Sequence, residues 1–331
     1  MDHLLTSNTP AARIWVFSDL QQRSPDKAED CMNIALGDMR ELDFDLDGIW
    51  YLGDAVEGMN RERLQTMIDM QISKLSALGV PLRFVMGNHD LDCSCRAPSG
   101  KKPPLPVWEA FRNVPNWKTT AACNDFYFTD TYGDVLTVFL SDHVAPDNRW
   151  VATQQEIRGQ NPESYDIPQK VFSDLRAYIA DWKGPVVLAG HYAFPGGARE
   201  PPARGWLNRL LPLPDNVKLV LHGHAHIGDW SCAQAETFQR VTWMKWHNIP
   251  QANVSSLDRN RGSQTRSVLF DIYKDGTFGL FFRDHEDRRW TEAFFTDTHA
   301  PRTRTATSAQ YQKDHPRPEN EILNTWLSQH P

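Results

Sequence analysis

The chain has 331 residues, of which 40% are hydrophobic and 23% are charged, a composition ordinary for a soluble globular protein. The formal net charge of −7 argues against a general nucleic-acid coat or an anionic membrane surface as partner. It does not exclude a phosphorylated small substrate, because a bound cation can invert the local field. No apolar run reaches the length of about 18 residues that a membrane-spanning helix needs.

Neither the N-terminus nor the cysteines indicate secretion. Residues 1–12 lack both a basic start and an apolar segment, so we expect no secretory signal. The five cysteines are an odd number and are scattered, which fits a reduced, cytoplasmic protein better than a disulfide framework. Cys93 and Cys95 form a C-x-C pair, which can be a zinc or redox site. No second pair completes a ligand set, so we interpret them as incidental thiols.

The first third of the chain alternates apolar strands with amphipathic helices. The predicted elements are strands at 13–17, 48–52 and 81–86 and helices at 28–42 and 61–78. This alternation predicts an α/β fold with a mixed or parallel sheet and right-handed crossovers. Each strand stops at polar residues, at the carboxyl end where α/β sheets usually place their sites.

Further elements follow in the rest of the chain. We expect a helix at 108–114, a β-hairpin at 125–129 and 135–140, a helix at 168–182, a strand at 185–189, a helix at 207–211 and a strand at 217–220. The pattern then predicts strands at 240–246, 267–273 and 277–283, the last two joined by a Lys-Asp-Gly turn. We expect one domain over residues 1–300 and a polar tail over 301–331, which ends in a short amphipathic helix.

The stretch Leu-His-Gly-His-Ala-His at 221–226 brings two histidines directly after a strand. His224 and His226 are two residues apart, and Gly223 loosens the turn so that both imidazoles can converge. Neutral imidazole is the commonest protein ligand for a transition metal. Taken alone, these residues leave open a second interpretation, two histidines in an ordinary polar loop.

Four more strand ends carry side chains that can bind metals. They are Asp19 with Gln21, Asp54, Asn88 with His89, and His191. Asp and Asn are also common in turns for local hydrogen-bonding reasons, but their recurrence immediately after apolar strands favours a shared site. The combined set of carboxylate, amide and imidazole suits manganese, iron, zinc or magnesium.

In order along the chain, these motifs resemble those of the calcineurin-like metallophosphoesterases. The matching motifs are Asp19-x-Gln21, Gly53-Asp54, Gly87-Asn88-His89-Asp90, Gly190-His191 and Gly223-His224-x-His226. The resemblance covers about residues 13–229. It implies a four-layer α/β/β/α sandwich with two mixed β-sheets, in which the sheets carry the site along one edge.

The resemblance also implies two divalent metal ions that share the carboxylate of Asp54. The residues implied are Asp19, Gln21, Asp54 and His226 for one metal and Asp54, Asn88, His191 and His224 for the other. Such a metal pair can hold an attacking hydroxide and stabilise the attacking and leaving oxygens. His89 is implied near the scissile phosphate, with Asp90 holding its orientation and favouring its protonated form. Proton donation by His89 would be worth about 10²–10⁴-fold in rate.

Gln21 departs from the family pattern, because many relatives have histidine at this place. An amide oxygen is harder than an imidazole nitrogen, so we expect manganese or magnesium, with zinc or iron held less firmly. Alternatively, Gln21 hydrogen-bonds only a metal-bound water. With glutamine at this position, the chain resembles certain relatives that cleave nucleotide-type pyrophosphates and diesters. The protein Ser/Thr phosphatase branch is disfavoured, because the arginine of that branch is absent after Gly53-Asp54.

The sequence thus predicts a cytoplasmic hydrolase that cleaves a phosphodiester, phosphoanhydride or phosphomonoester of a small molecule. The alternatives are a nuclease with a salt-sensitive basic groove and a metal-stabilised binding module without activity. Candidates for substrate contact are His143, Arg199, Arg204 and His247. Lys245, Trp246 and His247 together could provide a base-stacking wall and a polar contact. Ordinary loop, packing and surface roles remain open for all of these residues. We interpret His222 as a buried histidine that supports the ligands. The sequence does not indicate the oligomeric state.

Overall fold

Two β-sheets form the centre of this computed structural model. It describes residues 9–57, 61–90, 107–121, 126–141, 169–192, 210–224, 226, 243–246, 249–259 and 264–296. The strands are β1 (Ala12–Phe17), β2 (Gly48–Tyr51), β3 (Leu82–Phe84), β4 (Trp117–Thr119), β5 (Tyr127–Tyr132), β6 (Val135–Leu140), β7 (Val186–Gly190), β8 (Val217–His222), β9 (Trp243–Trp246), β10 (Ile249–Asn253), β11 (Arg266–Ile272), β12 (Phe278–Asp284) and β13 (Arg289–Thr296). The first sheet has the order β13-β12-β11-β1-β2-β3-β4, and the second has the order β5-β6-β7-β8-β10-β9.

The helices lie on the outer faces of the two sheets. They are α1 (Pro25–Leu42), α2 (Arg61–Ser76), α3 (Val107–Arg112) and α4 (Gln169–Asp181). One apolar core joins α1, α2 and α3 to the first sheet, a second fills the space between the sheets, and a third joins α4 to the second sheet. These layers confirm the expected α/β/β/α sandwich with two mixed sheets.

Strand β1 shows why a mostly apolar strand is needed at the centre. All six of its residues are buried. Trp15 and Phe17 belong to the core beneath the helices, whereas Ile14 and Val16 belong to the core between the sheets. Because successive side chains of a strand point to opposite faces, a strand covered on both faces is apolar except where a buried charge has a partner, as Arg13 has in Asp271.

The observed elements differ from the predicted ones at several places. Helix α1 begins at Pro25, where the fixed backbone of proline suits the first turn, rather than at residue 28. The sequence pattern does not predict β4, β10 or β13. The tail at 301–331 lies outside the described residues. Within the described ranges, none of the helices combines the length and apolar character that crossing a membrane requires.

A buried polar network ties α1 to the first sheet. Arg283 donates two hydrogen bonds to the carboxylate of Asp38, at 2.8 and 2.7 Å. His285 Nδ1 lies 2.8 Å from the same carboxylate, and its Nε2 lies 2.6 Å from Ser267 Oγ. Burial raises the pKa of Asp38, but the hydrogen bonds from Arg283 and His285 outweigh it and lower the pKa to about 2. The network therefore stabilises the fold only while Asp38 is ionised.

Replacement of Asp38 by alanine is expected to destabilise the protein by roughly 3–5 kcal/mol, because it leaves Arg283 buried without its partner. The matched control is Asp174→Ala, which removes an exposed ion pair with Lys170 and should cost at most about 1 kcal/mol. Urea unfolding at pH 7 measures both losses. The pKa of Asp38 is lowered in the folded protein, so its ionised form stabilises the fold only above that pKa. The difference in free energy of unfolding between the wild type and Asp38→Ala should therefore disappear as the pH falls from 3.8 towards about 2. Equal losses in the two variants would contradict the prediction.

Candidate metal centre

Polar side chains that follow three parallel strands of the first sheet and two of the second meet at one edge of the sandwich. They are Asp19 after β1, Asp54 after β2, Asn88 after β3, His191 after β7, and His224 with His226 after β8. The backbones of Asp19, Asp54, His224 and His226 are left-handed, with φ values of 57°, 55°, 64° and 46°. Backbone of this kind costs about 1–3 kcal/mol for each residue and is concentrated at functional sites.

Glycines allow these turns to approach one another. A Cβ atom at Gly87 would lie 2.5 Å from the backbone nitrogen of Asp54, and one at Gly53 would lie 2.6 Å from Nδ1 of His191. A Cβ at Gly223 would lie 2.7 Å from Oδ2 of Asp19. These separations are shorter than any van der Waals contact, so the Gly-Asp, Gly-Asn and Gly-His pairs in the sequence have a steric cause.

Two groups of side chains could each hold a metal ion, and they share one carboxylate. The first group is Asp54, His191 and His224, and the second is Asp19, Asp54 and His226. Within each group the potential ligand atoms lie within 4.8 Å of one another. Asp54, which belongs to both groups, is fully buried.

Several buried acceptor atoms face the centre of these groups. Oδ1 of Asp19, Oε1 of Gln21 and Oδ2 of Asp54 have no hydrogen-bond partner among the described residues. Asp19 Oδ1 lies 3.1 Å from His226 Nε2, and Asp54 Oδ2 lies 3.2 Å from His191 Nε2. Buried oxygen atoms without donors are costly unless a cation neutralises them. The residues present therefore fit divalent metal ions.

The ring of His191 is oriented by its other nitrogen. Nδ1 lies 2.7 Å from the carbonyl oxygen of Leu52 and donates to it, which directs Nε2 towards Asp54 and Asn88. Such an outer hydrogen bond is typical of histidines that bind metals. Burial lowers the pKa of His191, but the charge of Asp54 outweighs it and raises the pKa to about 10. The field that attracts a proton here also favours a metal cation.

Asp90 supports the ligand turns through backbone hydrogen bonds. Its Oδ2 accepts the N–H groups of Asp54 and Gly87, and its Oδ1 accepts the N–H of Ala55, each at 2.8 Å. Burial, followed by the charge of Asp54, raises the pKa of Asp90 to about 8. The carboxylate thus faces the backbone around Asp54, a position different from the predicted one beside the ring of His89.

Glu57 is the carboxylate that lies beside His89. Its Oε2 is 3.5 Å from His89 Nδ1. The backbone N–H of His89 donates to Asp54 Oδ1 at 2.9 Å, while its side chain stays 22% exposed. The backbone of His89 therefore contacts a buried ligand, while its side chain is partly exposed to solvent. Glu57 is absent from the predicted site, because a single glutamate three residues after Gly53-Asp54 has no distinguishing pattern.

A loop after β10 supports Asp19 from behind, and sequence reasoning missed it. The backbone N–H groups of Leu257 and Asp258 donate to the carbonyls of Ser18 and Asp19, each at 3.0 Å. The hydroxyl of Ser256 also donates to the Asp19 carbonyl, at 2.9 Å. These hydrogen bonds fix the left-handed turn at Asp19. The segment at 253–258, which mixes polar and apolar residues, has no signal in the sequence that distinguishes such a support from an ordinary loop.

The remaining predicted residues divide into two groups. His222 is buried, with Nδ1 3.1 Å from the carbonyl oxygen of Gly223, and burial lowers its pKa to about 4, so it is a neutral supporting histidine. The structure describes only the backbone of Lys245 and Trp246, in β9. His143, Arg199, Arg204, His247, Cys93 and Cys95 lie outside the described residues.

One comparison with a solved structure supports the fold, and two weaker matches are given beside it. The chain is similar to the purple acid phosphatase from yellow lupin (Lupinus luteus) seeds, with 14% identity and a TM-score of 0.51. That match covers 90% of this chain but 58% of the phosphatase, so the chain spans less than two thirds of it. A calcineurin-like phosphoesterase from Bacillus subtilis has 13% identity and a TM-score of 0.43, with 96% of this chain and 98% of that chain covered. The NAD nucleotidase from Haemophilus influenzae has 9% identity and a TM-score of 0.44, with 96% and 67% covered.

The family assignment comes from a family model. No curated protein sequence matches the chain significantly. The model of the calcineurin-like phosphoesterases matches residues 12–228, about two thirds of the 331 residues, and these include every predicted metal ligand. The chain therefore belongs to the calcineurin-like phosphoesterase family, whose members are dinuclear metal-dependent hydrolases of phosphoric esters.

Proposed function

We propose that this protein hydrolyses a phosphodiester, phosphoanhydride or phosphomonoester of a small molecule with the help of two divalent metal ions. The observation that carries the proposal is the pair of ligand groups that share the buried Asp54. A binding module that holds metal ions only for stability would have no use for a partly exposed histidine such as His89 beside the ligands. The negative net charge favours a small substrate over a nucleic acid.

In this proposal each ligand set draws on both sheets. Asp19, Gln21, Asp54 and His226 would hold one metal, and Asp54, Asn88, His191 and His224 would hold the other. When bound, the two ions would activate water and neutralise the charge of the phosphoryl oxygens. Manganese is our first candidate, because the set is rich in oxygen and contains no thiolate. Residues 1–300 would form the hydrolase domain and 301–331 a tail.

His89 would act on the phosphate from the open side of the site. Its ring is half-buried and its backbone N–H donates to Asp54, so the ring would be close enough to reach an oxygen of a bound substrate. We infer that it binds a phosphoryl oxygen or gives a proton to the leaving oxygen. Glu57 would hold the ring of His89 in place, and Asp90 would hold the turns that carry Asp54 and Asn88. His143, Arg199, Arg204 and His247 remain our candidates for contacts with the rest of the substrate.

The direct test is the hydrolysis of bis(p-nitrophenyl) phosphate and p-nitrophenyl phosphate by the full chain. Turnover should depend on added Mn²⁺ and should stop with a chelator. The ratio of the two rates decides between a diesterase and a monoesterase, and a panel of nucleotides and sugar phosphates then narrows the substrate. Two bound metal ions without turnover of any phosphoric ester would refute the proposal and favour a binding module.

Replacement of Gln21 by histidine is expected to shift metal preference from Mn²⁺ towards Zn²⁺ or Fe²⁺. The amide of Gln21 lies 2.6 Å from His226, measured from Nε2 to Nε2, so a histidine here would add a second imidazole to the same group. Softer nitrogen ligands favour zinc and iron over manganese. Competition titrations with Mn²⁺ and Zn²⁺ measure the shift. The half-buried Gln65→His variant on α2 is the control, and an unchanged preference in Gln21→His would show that Gln21 is not a ligand.

A further inference from the structure

Tyr192 contacts three of the residues that we assign to a single metal. It follows His191 at the end of β7 and is 9% exposed. Its hydroxyl donates to Asn88 Oδ1 at 3.0 Å. Its ring centroid lies 4.1 Å from that of His224 and 5.2 Å from that of His191, the second pair being nearly perpendicular at 89°. Tyr192 is thus in contact with an amide and two imidazoles of the same ligand set.

The hydroxyl of Tyr192 helps to determine whether the oxygen or the nitrogen of the Asn88 amide faces the metal. The two ends of an amide have nearly the same shape, but only the oxygen accepts a hydrogen bond or binds a cation. Since Oδ1 has two lone pairs, it can accept the tyrosine O–H and still offer a second lone pair to a metal. Oδ1 also lies 3.2 Å from His191 Nε2, which turns it towards the same point as the imidazole. The O–H bond therefore favours the amide orientation that binding requires.

The ring of Tyr192 restricts the two imidazoles. His191 and His224 have centroids 5.2 Å apart and an interplanar angle of 70°, and the tyrosine ring packs against both. Groups that fix the orientation of ligands typically change metal affinity by about 10–100-fold when they are replaced. The other ligand set has its own supports, since Asp19 is held by the loop after β10 and by the N–H of His224, which donates to Asp19 Oδ2 at 2.9 Å.

We propose that Tyr192 is a positioning residue that sets the affinity of the Asp54–Asn88–His191–His224 site for its metal ion. This inference rests on the metal ligands assigned under the proposed function. It concerns binding of the metal alone, so it can be tested without a substrate. Loss of the hydroxyl should weaken one of the two metal sites and leave the other nearly unchanged.

The experiment compares Mn²⁺ titrations of the wild-type chain, Tyr192→Phe and Tyr132→Phe. Tyr132 is a matched control, because its hydroxyl accepts a hydrogen bond from Trp50 at 3.0 Å in the core between the sheets, away from the ligand groups. Calorimetry and electron paramagnetic resonance should show two metal affinities in the wild type. In Tyr192→Phe one of them should fall by about 10–100-fold, whereas Tyr132→Phe should keep both.

Two further measurements separate positioning from a general structural role. Saturating Mn²⁺ should restore kcat in Tyr192→Phe if the wild type is active, because the chemical groups of the site are intact. Circular dichroism should show an unchanged fold. Equal loss of both metal affinities, or no loss of either, would overturn the inference. Absence of turnover in the wild type would refute the proposed function and would leave the affinity comparison valid.

Discussion

Replacement of Asp54 by asparagine should remove metal binding and hydrolysis together. Asp54 is the one carboxylate common to both ligand groups, and its Oδ2 faces His191 Nε2 at 3.2 Å. Burial raises the pKa of Asp54, but the neighbouring His191 outweighs it and keeps the pKa well below its usual range, so the side chain is ionised. Asparagine keeps the shape but loses the charge that both cations need. Transition-state stabilisation of several kcal/mol is then lost, which corresponds to a fall of at least about 10³-fold in kcat.

Metal analysis and turnover of the same preparation test this expectation. The matched control is Asp174→Asn, an identical change at an exposed position on α4, which should keep two metal ions and full activity. Circular dichroism establishes that both variants are folded. If Asp54→Asn retained two ions per chain, Asp54 would not bridge them and the assignment of ligands would have to be revised.

Replacement of His89 by alanine should lower kcat by about 10²–10⁴-fold while both metal ions stay bound. Its side chain is partly exposed and lies beside Glu57, whereas its contribution to the ligands comes from the backbone N–H that donates to Asp54 Oδ1. Alanine keeps that N–H. The variant therefore removes the imidazole without removing a metal ligand. Metal analysis measures the number of bound ions, and steady-state kinetics measures kcat independently.

The choice of substrate distinguishes two roles for His89. If His89 gives a proton to the leaving oxygen, the loss of kcat should be small for p-nitrophenyl esters, whose leaving group is already stable as an anion, and large for alkyl esters. If it only holds a phosphoryl oxygen, both losses should be similar. Glu57→Gln should lower kcat less than His89→Ala. Full turnover in His89→Ala with either type of ester would remove His89 from the mechanism.

The sheet edge that carries the site can be predicted from the sequence, because short local patterns of apolar and polar residues determine where each strand ends. Apolar runs such as 13–17 and 48–52 end at a polar residue or a Gly-Asp pair, and each matches a buried strand followed by a tight turn. The hairpin around Gly276 is recognisable for the same reason, since a short turn between alternating strands is a local signal. The strand order within each sheet depends on contacts between residues that are distant in sequence, so local patterns do not predict it. The four-layer sandwich is predicted only from the resemblance to a known family.

The supports of the site have no comparable local signal. Strand β10 contains Pro250 and pairs with β8 in parallel, so both its existence and its register depend on a distant partner. Glu57 and Tyr192 are single residues whose importance comes from what folding brings beside them. The predicted contact between Asp90 and His89 illustrates the same limit, because neighbours in sequence need not face each other after a turn.

The proposed ligands are divided between the two sheets, and this division has a consequence for the lifetime of the protein. Asp19, Asp54 and Asn88 follow strands of the first sheet, whereas His191, His224 and His226 follow strands of the second. A bound cation would therefore cross-link the halves of the sandwich, while an unfolded chain would hold the same groups far apart. By mass action, free metal at 100 times its dissociation constant would add about 2.7 kcal/mol to the free energy of unfolding. The abundance of the folded enzyme would then follow the metal supply of its surroundings as closely as its catalytic rate does.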